Sequence, residues 1–399
     1  MGQGNGQAAL RAARTPFSAL VCCGQDWWHY PAVLAKLHRA GVEVELIAPR
    51  RSLTASSRYY ARLFAADSTE QMVATLRERI AARHHDWVYV GDEPSLRSLA
   101  VHRAEPWAAE IFPIRPDHPE FDVLLDKNAL LRMLERIGVP ILPGFFADDE
   151  ATARAGVAEL GYPVAIKLRE GHGGGGVFRV DATSQLGPVL ERVRDRFPVR
   201  IEPWLDRPIG GTQALFAHGE LLAATSSLTV DRWPEPTGPS CSRRVFNHPL
   251  IEPALRAIGA ATGYHGLCHP EWLLLPNGAP AYLELNPRAA CLIRHDRYDD
   301  VDFASAFAAF TGRAPRRQPV SKPGRRLGPS GSTIYLFPQH LIYCLQSHDF
   351  RSLRRWLPFS ERHDVPWDDL GPTLGAVRMV AFRAVDEVRA WLRQRGLEV

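Results

Sequence analysis

The chain has 399 residues, 45% of them hydrophobic and 23% charged, with a formal net charge of +4. This is an ordinary soluble composition with material for two or three domains, and a charge this small, carried far more by Arg than by Lys, does not indicate nucleic acid. No apolar run reaches the roughly 20 residues of a membrane helix, and Met1 to Arg14 has no signal-peptide core and reads as a frayed tail within residues 1–15.

From the amino end, a short apolar run from Phe17 to Cys23 is followed by Gly24. A helical pattern through Val33, Leu34 and Leu37 then stops at Gly41, and the strand VEVELIA follows. These predict a β-α-β unit with parallel pairing. TEQMVATLRERIAAR predicts an amphipathic helix, and DWVYVGDEP a strand ending in a polar turn. Residues 16–120 are therefore expected to form a small Rossmann-like layer whose ligand-facing ends follow its strands. Gln25 to Tyr30 and Asp92-Glu93 stand on those ends. The Trp27-Trp28-His29-Tyr30 cluster is open to two readings, a substrate wall or core packing.

PIRPDHPEF is a proline-rich connector. Residues 124–137 predict a helix with Asp126-Lys127 in its first turn and Gly138 at its stop. ATARAGVAELG predicts a second helix. It leads to the strand PVAIKLR, a glycine loop, the strand VFRV, a helix over 185–194 and the strand VRIEPWL. TQALFAHGELLAATSSLTV predicts two antiparallel strands around a His-Gly turn, and residues 254–262 a helix. CHPEWLLLP and APAYLELNP predict a hairpin closed by the two-residue turn Asn277-Gly278. Residues 316–331 read as a linker, and 332–399 as a strand, Trp/Leu-rich turns and a final helix that pack on the core. The six cysteines show no C-x-x-C spacing, so reduced, buried thiols in a cytoplasmic protein are expected.

The stretch AIKLREGHGGGGVFRV carries the first chemical signal. Gly171, Gly173 and Gly176 spell G-x-G-x-x-G, but the dinucleotide fingerprint must open a helix. Here Val177 to Val180 alternates as a strand, so the glycines form a hairpin flap. Bare backbone in such a flap suits close approach by a ligand. Glu284 and Asn286 are i and i+2 on one strand and share a face, and Glu271 lies on the partner strand. Two carboxylates and an amide oxygen suit Mg²⁺ shared with phosphate oxygens. Lys127 and Lys167 add cations. Lysines, a flap of free N–H groups and metal carboxylates together fit a nucleoside triphosphate, although no G-K-[ST] follows the glycines.

In this order and approximate spacing, the DK before a helix, PVAIKLREGHGGGGV, IEPWL and PEWLLL…AYLELNPR resemble the ATP-grasp superfamily of carboxylate–amine ligases. The resemblance covers residues 126–312, within a domain expected over 121–315 with a lid over about 140–200. It implies an α/β protein, an α+β ATP-grasp fold preceded by the Rossmann-like parallel-sheet domain. By position it implies that Lys127 and Lys167 bind phosphate and that Gly171, Gly173, Gly174 and Gly176 form the phosphate flap. Glu202, Pro203, Trp204 and Leu205 would be the adenine hinge, with the Leu205 N–H meeting the base and Glu202 the exocyclic amine. Pro203 replaces a frequent Lys but keeps the backbone carbonyl that position supplies. Glu271, Glu284 and Asn286 would hold Mg²⁺ or Mn²⁺, and Arg288 would meet the reacting carboxyl and phosphoryl groups. Leu168 departs from a usual Pro, and Ile209 and Gly210 stand where a ribose-binding acid is frequent. Arg232, Arg243 and Arg244 are candidates for a third phosphate-side cation, and His172 in the flap reads as a solvated loop residue.

The implied activity is ATP-dependent ligation through an acyl phosphate, with ADP and phosphate released. Its partners are small-molecule carboxylates and amines, with neither nucleic acid nor membrane and with a homodimer open. Two alternatives stay beside it: acylation of a carrier-protein thiol or peptide terminus, and a nucleotide-binding regulator without turnover, against which the complete metal set argues.

Overall fold

The computed structural model describes residues 16–171, 175–234, 238–299, 301–313, 333–356 and 363–394. The expected tail, the linker over 316–331, and His172, Gly173 and Gly174 in the flap lie outside the described residues.

The first layer contains β1 (Ser18–Cys22), α1 (Tyr30–Arg39), β2 (Glu43–Ala48), β3 (Arg62–Ala65), α2 (Thr69–Ala82), β4 (Trp87–Val90) and α3 (Glu93–Ala100). Its strands form a parallel sheet in the order β3-β2-β1-β4. β1 is buried on both faces, which is why SALVC reads as a continuous apolar run rather than an alternation. Asp92 caps α3 by accepting from Ser95 N at 2.9 Å, and its other oxygen accepts from Gly24 N at 2.7 Å. One carboxylate thus ties together the ends of β1 and β4. The strand stops at Cys22, so the Trp27 cluster lies on a turn beyond it rather than on the strand itself.

α4 (Lys127–Arg136) leads to β5 (Phe145–Ala147), α5 (Glu150–Leu160), β6 (Val164–Leu168), β7 (Val177–Val180), α6 (Thr183–Arg192) and β8 (Val199–Pro203). These strands form an antiparallel sheet, β5-β8-β6-β7, with its own apolar core. Val177 to Val180 pairs with β6 as a hairpin and opens no helix. Asp126 is the N-cap of α4 rather than part of its first turn, accepting from Asn128 N at 2.8 Å.

The largest sheet takes β9 (Ile209–Ala217), β10 (Glu220–Arg232), β11 (Ser240–Val245), β12 (Gly266–Leu274), β13 (Pro280–Asn286) and β14 (Thr333–Tyr335), ordered β13-β12-β9-β10-β11-β14. α7 (Ile251–Thr262), α8 (Phe303–Phe310), α9 (Gln339–Gln346) and α10 (Leu370–Gln394) complete the described α-helices. His218 and Gly219 make the turn between β9 and β10, both at positive φ. The β12–β13 turn has three residues, not two. Gly278 N donates to Leu275 O and Leu275 N to Ala279 O, and Gly278 has φ +84°. Pro276 favours the type I turn that places glycine in that left-handed position, so Pro-Asn-Gly rather than Asn-Gly sets the loop. Among the described residues no helix is long and apolar enough to cross a membrane.

Trp272 anchors β12 from the face opposite the acids. It is fully buried, donates from Nε1 to Thr212 Oγ1 at 3.1 Å, and lies flat on Gly210. A Cβ at Gly210 would come within 2.1 Å of the indole. Gly210→Ala is therefore expected to cost about 2 kcal/mol by overpacking, read as a lower urea midpoint with unchanged far-ultraviolet dichroism. An unchanged midpoint would show that the indole is not held there.

Candidate active site

The register of one hairpin sets the centre of the site. Glu271 on β12 stands directly opposite Glu284 on β13, and His269 opposite Asn286. Side chains alternate along a strand, so all four project to one face. Burial and the neighbouring Glu284 charge push the Glu271 carboxyl up to about 7. Burial acts the same way on Glu284, but Lys127, together with Asn286 and Lys167, outweighs it and holds that carboxyl below its ordinary range. Asn286 donates from Nδ2 to Glu284 Oε1 at 3.2 Å and to His269 O at 3.3 Å, which leaves its Oδ1 as the end available to a cation. Among the described residues no group of three or more His, Cys, Asp or Glu is arranged for a metal. Two carboxylates and an amide oxygen are the donor set here, hard oxygen ligands that suit Mg²⁺ when phosphate completes its shell.

Cations reach this pair from outside the hairpin. Lys127 opens α4, its N–H bound to Arg169 O at 3.0 Å, and its Nζ lies 2.5 Å from Glu284 Oε2. Arg169 also pairs with the capping Asp126 at 2.7 Å, so the start of α4 is fastened to the segment leading into the flap. Lys167 on β6 pairs with Glu202 on β8, which is 3% exposed. Arg288 donates from Nε to Glu93 Oε1 at 3.1 Å and lies 5.9 Å from the Trp27 ring. Burial would lower its guanidinium pKa, but Glu93 raises it further, so it stays charged.

A cleft of about 610 Å³ joins these groups. Lys127, Lys167, Glu202, Pro203, Trp204, Leu205, Glu271, Glu284, Asn286 and Arg288 all line it. Leu142, Leu205, Leu273 and Leu283 make an apolar patch in its lining. Trp204 N is committed to Pro163 O at 2.9 Å, whereas the Leu205 N–H meets no acceptor among the described residues. Gly171 lies in a neighbouring recess with Lys127, Glu284 and Asn286. The neck of the flap tolerates only glycine: Gly171 has φ +146°, and a Cβ on Gly176 would lie 2.7 Å from Glu170 O.

The aromatic cluster divides. Trp27, Trp28 and His29 line the cleft, while Tyr30 is buried and bonds Gly91 O through its hydroxyl. Of the three arginine candidates, Arg232 and Arg243 line the cleft and Arg244 does not. His269, Thr229, Ser240, Cys291 and Gln339 also line it, and no sequence motif singles them out. His269 is two residues before Glu271, so strand alternation alone places it on that face.

The ATP-binding domain of the carbamoyl-phosphate synthase L chain is the family description matching residues 126–198. The biotin carboxylase domain dimer of Hydrogenobacter thermophilus 2-oxoglutarate carboxylase, solved with ADP, its magnesium salt and bicarbonate, covers 75% of this chain and 71% of its own (TM-score 0.57, 16% identity). By this likeness the chain has the ATP-grasp fold. The L-amino acid ligase of Bacillus licheniformis covers 76% of this chain and 78% of its own at TM-score 0.53 and 15% identity. In sequence, the arginine-specific large chain of carbamoyl phosphate synthase from Geobacillus stearothermophilus is 33% identical over 85 residues, 21% of this chain and 8% of that one. The chain spans less than a fifth of the length of the curated relatives it matches.

The Lys167–Glu202 pair makes a stability test that is independent of any ligand. Lys167→Met leaves a buried carboxylate with only Arg200, 3.9 Å away, as company, and is expected to cost about 3 kcal/mol. Adding Glu202→Leu should restore most of that loss in urea unfolding. A single variant as stable as the parent would show that the pair is not formed.

Proposed function

We propose that the protein is an ADP-forming ligase that uses ATP to join a small-molecule carboxylate to an amine. One observation carries this reading: Glu271, Glu284 and Asn286 meet Lys127, Lys167 and Arg288 in a single cleft, with the neck of the glycine flap beside it. The fold supports it, as does the ADP held by the biotin carboxylase neighbour.

In this reading the base lies on Leu142, Leu205, Leu273 and Leu283, with the Leu205 N–H and Pro203 C=O reading its edge. Lys127 and Lys167 leave Glu284 and Glu202 for the triphosphate, and the flap N–H groups cover it. Held by Glu271, Glu284 and Asn286, Mg²⁺ or Mn²⁺ would neutralise the β/γ-phosphates and polarise the γ-phosphoryl group. Arg288 draws the substrate carboxylate into line and meets the charge that develops. The carboxylate oxygen bonds to the γ-phosphorus as the bond to ADP breaks. The amine nitrogen then bonds to the acyl carbon, phosphate leaves, and the amine gives up a proton. No side-chain nucleophile is required.

A dimer of this chain is part of the proposal, supported by the dimeric biotin carboxylase neighbour. The six free thiols, five of them buried, support a reducing compartment.

The reaction class is tested by incubating ATP, Mg²⁺ and hydroxylamine with a panel of amino acids and small carboxylates. ADP and a hydroxamate should accumulate together with a cognate acid, whereas AMP as the main product would overturn the mechanism. Arg288→Lys should keep ATP affinity within about threefold and lose about 100-fold in kcat, because a point charge cannot reproduce the planar fork. Full turnover in that variant would remove Arg288 from the chemistry.

Metal affinity should also depend on pH with a definite sign. The Glu271 carboxyl is raised to about 7, so below that pH a bound proton must leave when a cation enters. Mn²⁺ affinity measured by paramagnetic resonance should weaken up to about tenfold per pH unit below about pH 7 and level off above it. Glu271→Gln should abolish this dependence. A flat profile in the parent would exclude Glu271 as a ligand.

A further inference from the structure

Three of the cations in the cleft have carboxylate partners: Lys127 with Glu284, Lys167 with Glu202 and Arg288 with Glu93. Arg243 on β11 does not. It is 5% exposed, and all its partners are neutral oxygens. Nε donates to Ser227 Oγ at 2.7 Å and Nη2 to Ser227 O at 2.9 Å. Nη1 donates to Thr229 Oγ1 at 3.1 Å and Ser240 Oγ at 2.7 Å. These four bonds fix the guanidinium rigidly and leave one of its five N–H groups, on Nη2, without a partner among the described residues.

Near Nη2 stands a second group whose bonding capacity is unused. His269 is 4% exposed, and among the described residues neither of its ring nitrogens has a hydrogen-bond partner. Its closest charged contact is Glu271, 3.5 Å from Nδ1. A Cβ on Gly211 would lie 2.3 Å from His269 Nε2 and 3.2 Å from Arg243 Nη2. Glycine at 211 is therefore what lets the imidazole and the guanidinium share one space. Because Thr229 and Ser240 accept from Arg243 and lie 2.8 Å from each other, one hydroxyl hydrogen of the pair remains to be given. A buried unpaired cation surrounded by spare donors is a site for an anion.

Its position separates it from the triphosphate. Crossing the sheet, Glu284 stands on β13, Glu271 on β12 and Gly211 on β9, and Arg243 reaches in from β11 beyond them. Lys127 lies at the β13 side and Lys167 in the smaller antiparallel sheet. Both Arg243 and His269 line the same cleft as Arg288.

We propose that Arg243, His269, Thr229 and Ser240 form a subsite for a carboxylate that is not the one activated, carried by either the acid or the amine substrate. The acid would then be a dicarboxylate, or the amine an amino acid with a free carboxylate. Arg243 thereby determines specificity. This inference rests on the ligase reading for its assignment to substrate, but its test requires no turnover.

The test is calorimetric binding to the full chain saturated with MgADP. The probes are four- to six-carbon dicarboxylates against their monoamides, and the common amino acids against their carboxamides. At least one charged member should bind ten times more tightly than its amide, and the half of the panel in which it occurs identifies which substrate carries the anion. Arg243→Gln should reduce that preference to less than twofold while MgADP affinity stays within twofold, and Arg243→Lys should retain part of the preference. Three results would overturn the subsite: no charge preference anywhere in the panel, a preference that survives Arg243→Gln, or a tenfold loss of nucleotide affinity in that variant. If Arg243→Gln does not fold, Arg243→Lys carries the comparison, and a charge preference left undiminished in that variant overturns the subsite. Charge preference without ADP formation would keep the subsite and reject the ligase reading, and the converse would do the reverse.

Discussion

Two carboxylates set face to face on a half-buried hairpin form the constraint that organises the rest of this molecule. The register pairing Glu271 with Glu284 places like charges across a strand pair, where they repel. A site of this kind persists only if positive charge comes from elsewhere in the chain. Here Lys127 comes from the start of α4, and its attachment to Arg169 links that helix to the entry of the flap. What stabilises the facing acids is thus the same group that would exchange a carboxylate for a phosphate when nucleotide enters. Burial first, and the facing Glu284 charge second, keep the Glu271 carboxyl raised despite Lys127, and a divalent cation at this pair would favour its charged form.

The three sheets supply different parts of the cleft. The parallel layer contributes Trp27, Trp28, His29 and Glu93, the small antiparallel sheet Lys167 and Glu202, and the large sheet the acids and Arg243. The chain contains four lysines, Lys36, Lys127, Lys167 and Lys322, among 48 basic residues. Two of the four face one cleft. In so arginine-rich a sequence this fits a need for compact cations on flexible stems that can move between partners. Where the cation is clamped, as at Arg243 and Arg288, the chain uses the planar fork instead.

Local chemistry makes much of this legible. Alternation places Glu271, Glu284 and Asn286 on one face, and the strand after the glycines rules out a dinucleotide loop. Both depend on residues a few positions apart. The Glu93–Arg288 pair spans 195 positions and Lys127–Glu284 spans 157, and no periodicity reports such meetings. β11 and β3 escape the sequence pattern, because SCSRRV and RLFA carry too few apolar residues to stand out from loops. The Pro-Asn-Gly turn misleads for another reason: Asn-Gly is so strong a two-residue signal that it hides the proline before it. His269 is within reach of the alternation that gives Glu271, but an isolated histidine beside an apolar run reads first as packing. Its orphaned nitrogens become visible only when Gly211 and Arg243 are in place.

The central claim is that this hairpin end is where metal and triphosphate meet. It is tested most directly by a crystal structure with Mn²⁺ and a non-hydrolysable ATP analogue, with the metal located by its anomalous signal. The account predicts a metal peak about 2.1 Å from oxygens of Glu271, Glu284 and Asn286, with Lys127 moved from Glu284 onto phosphate and the base against Leu205. A metal bound away from both glutamates, or a nucleotide seated outside this cleft, would contradict it.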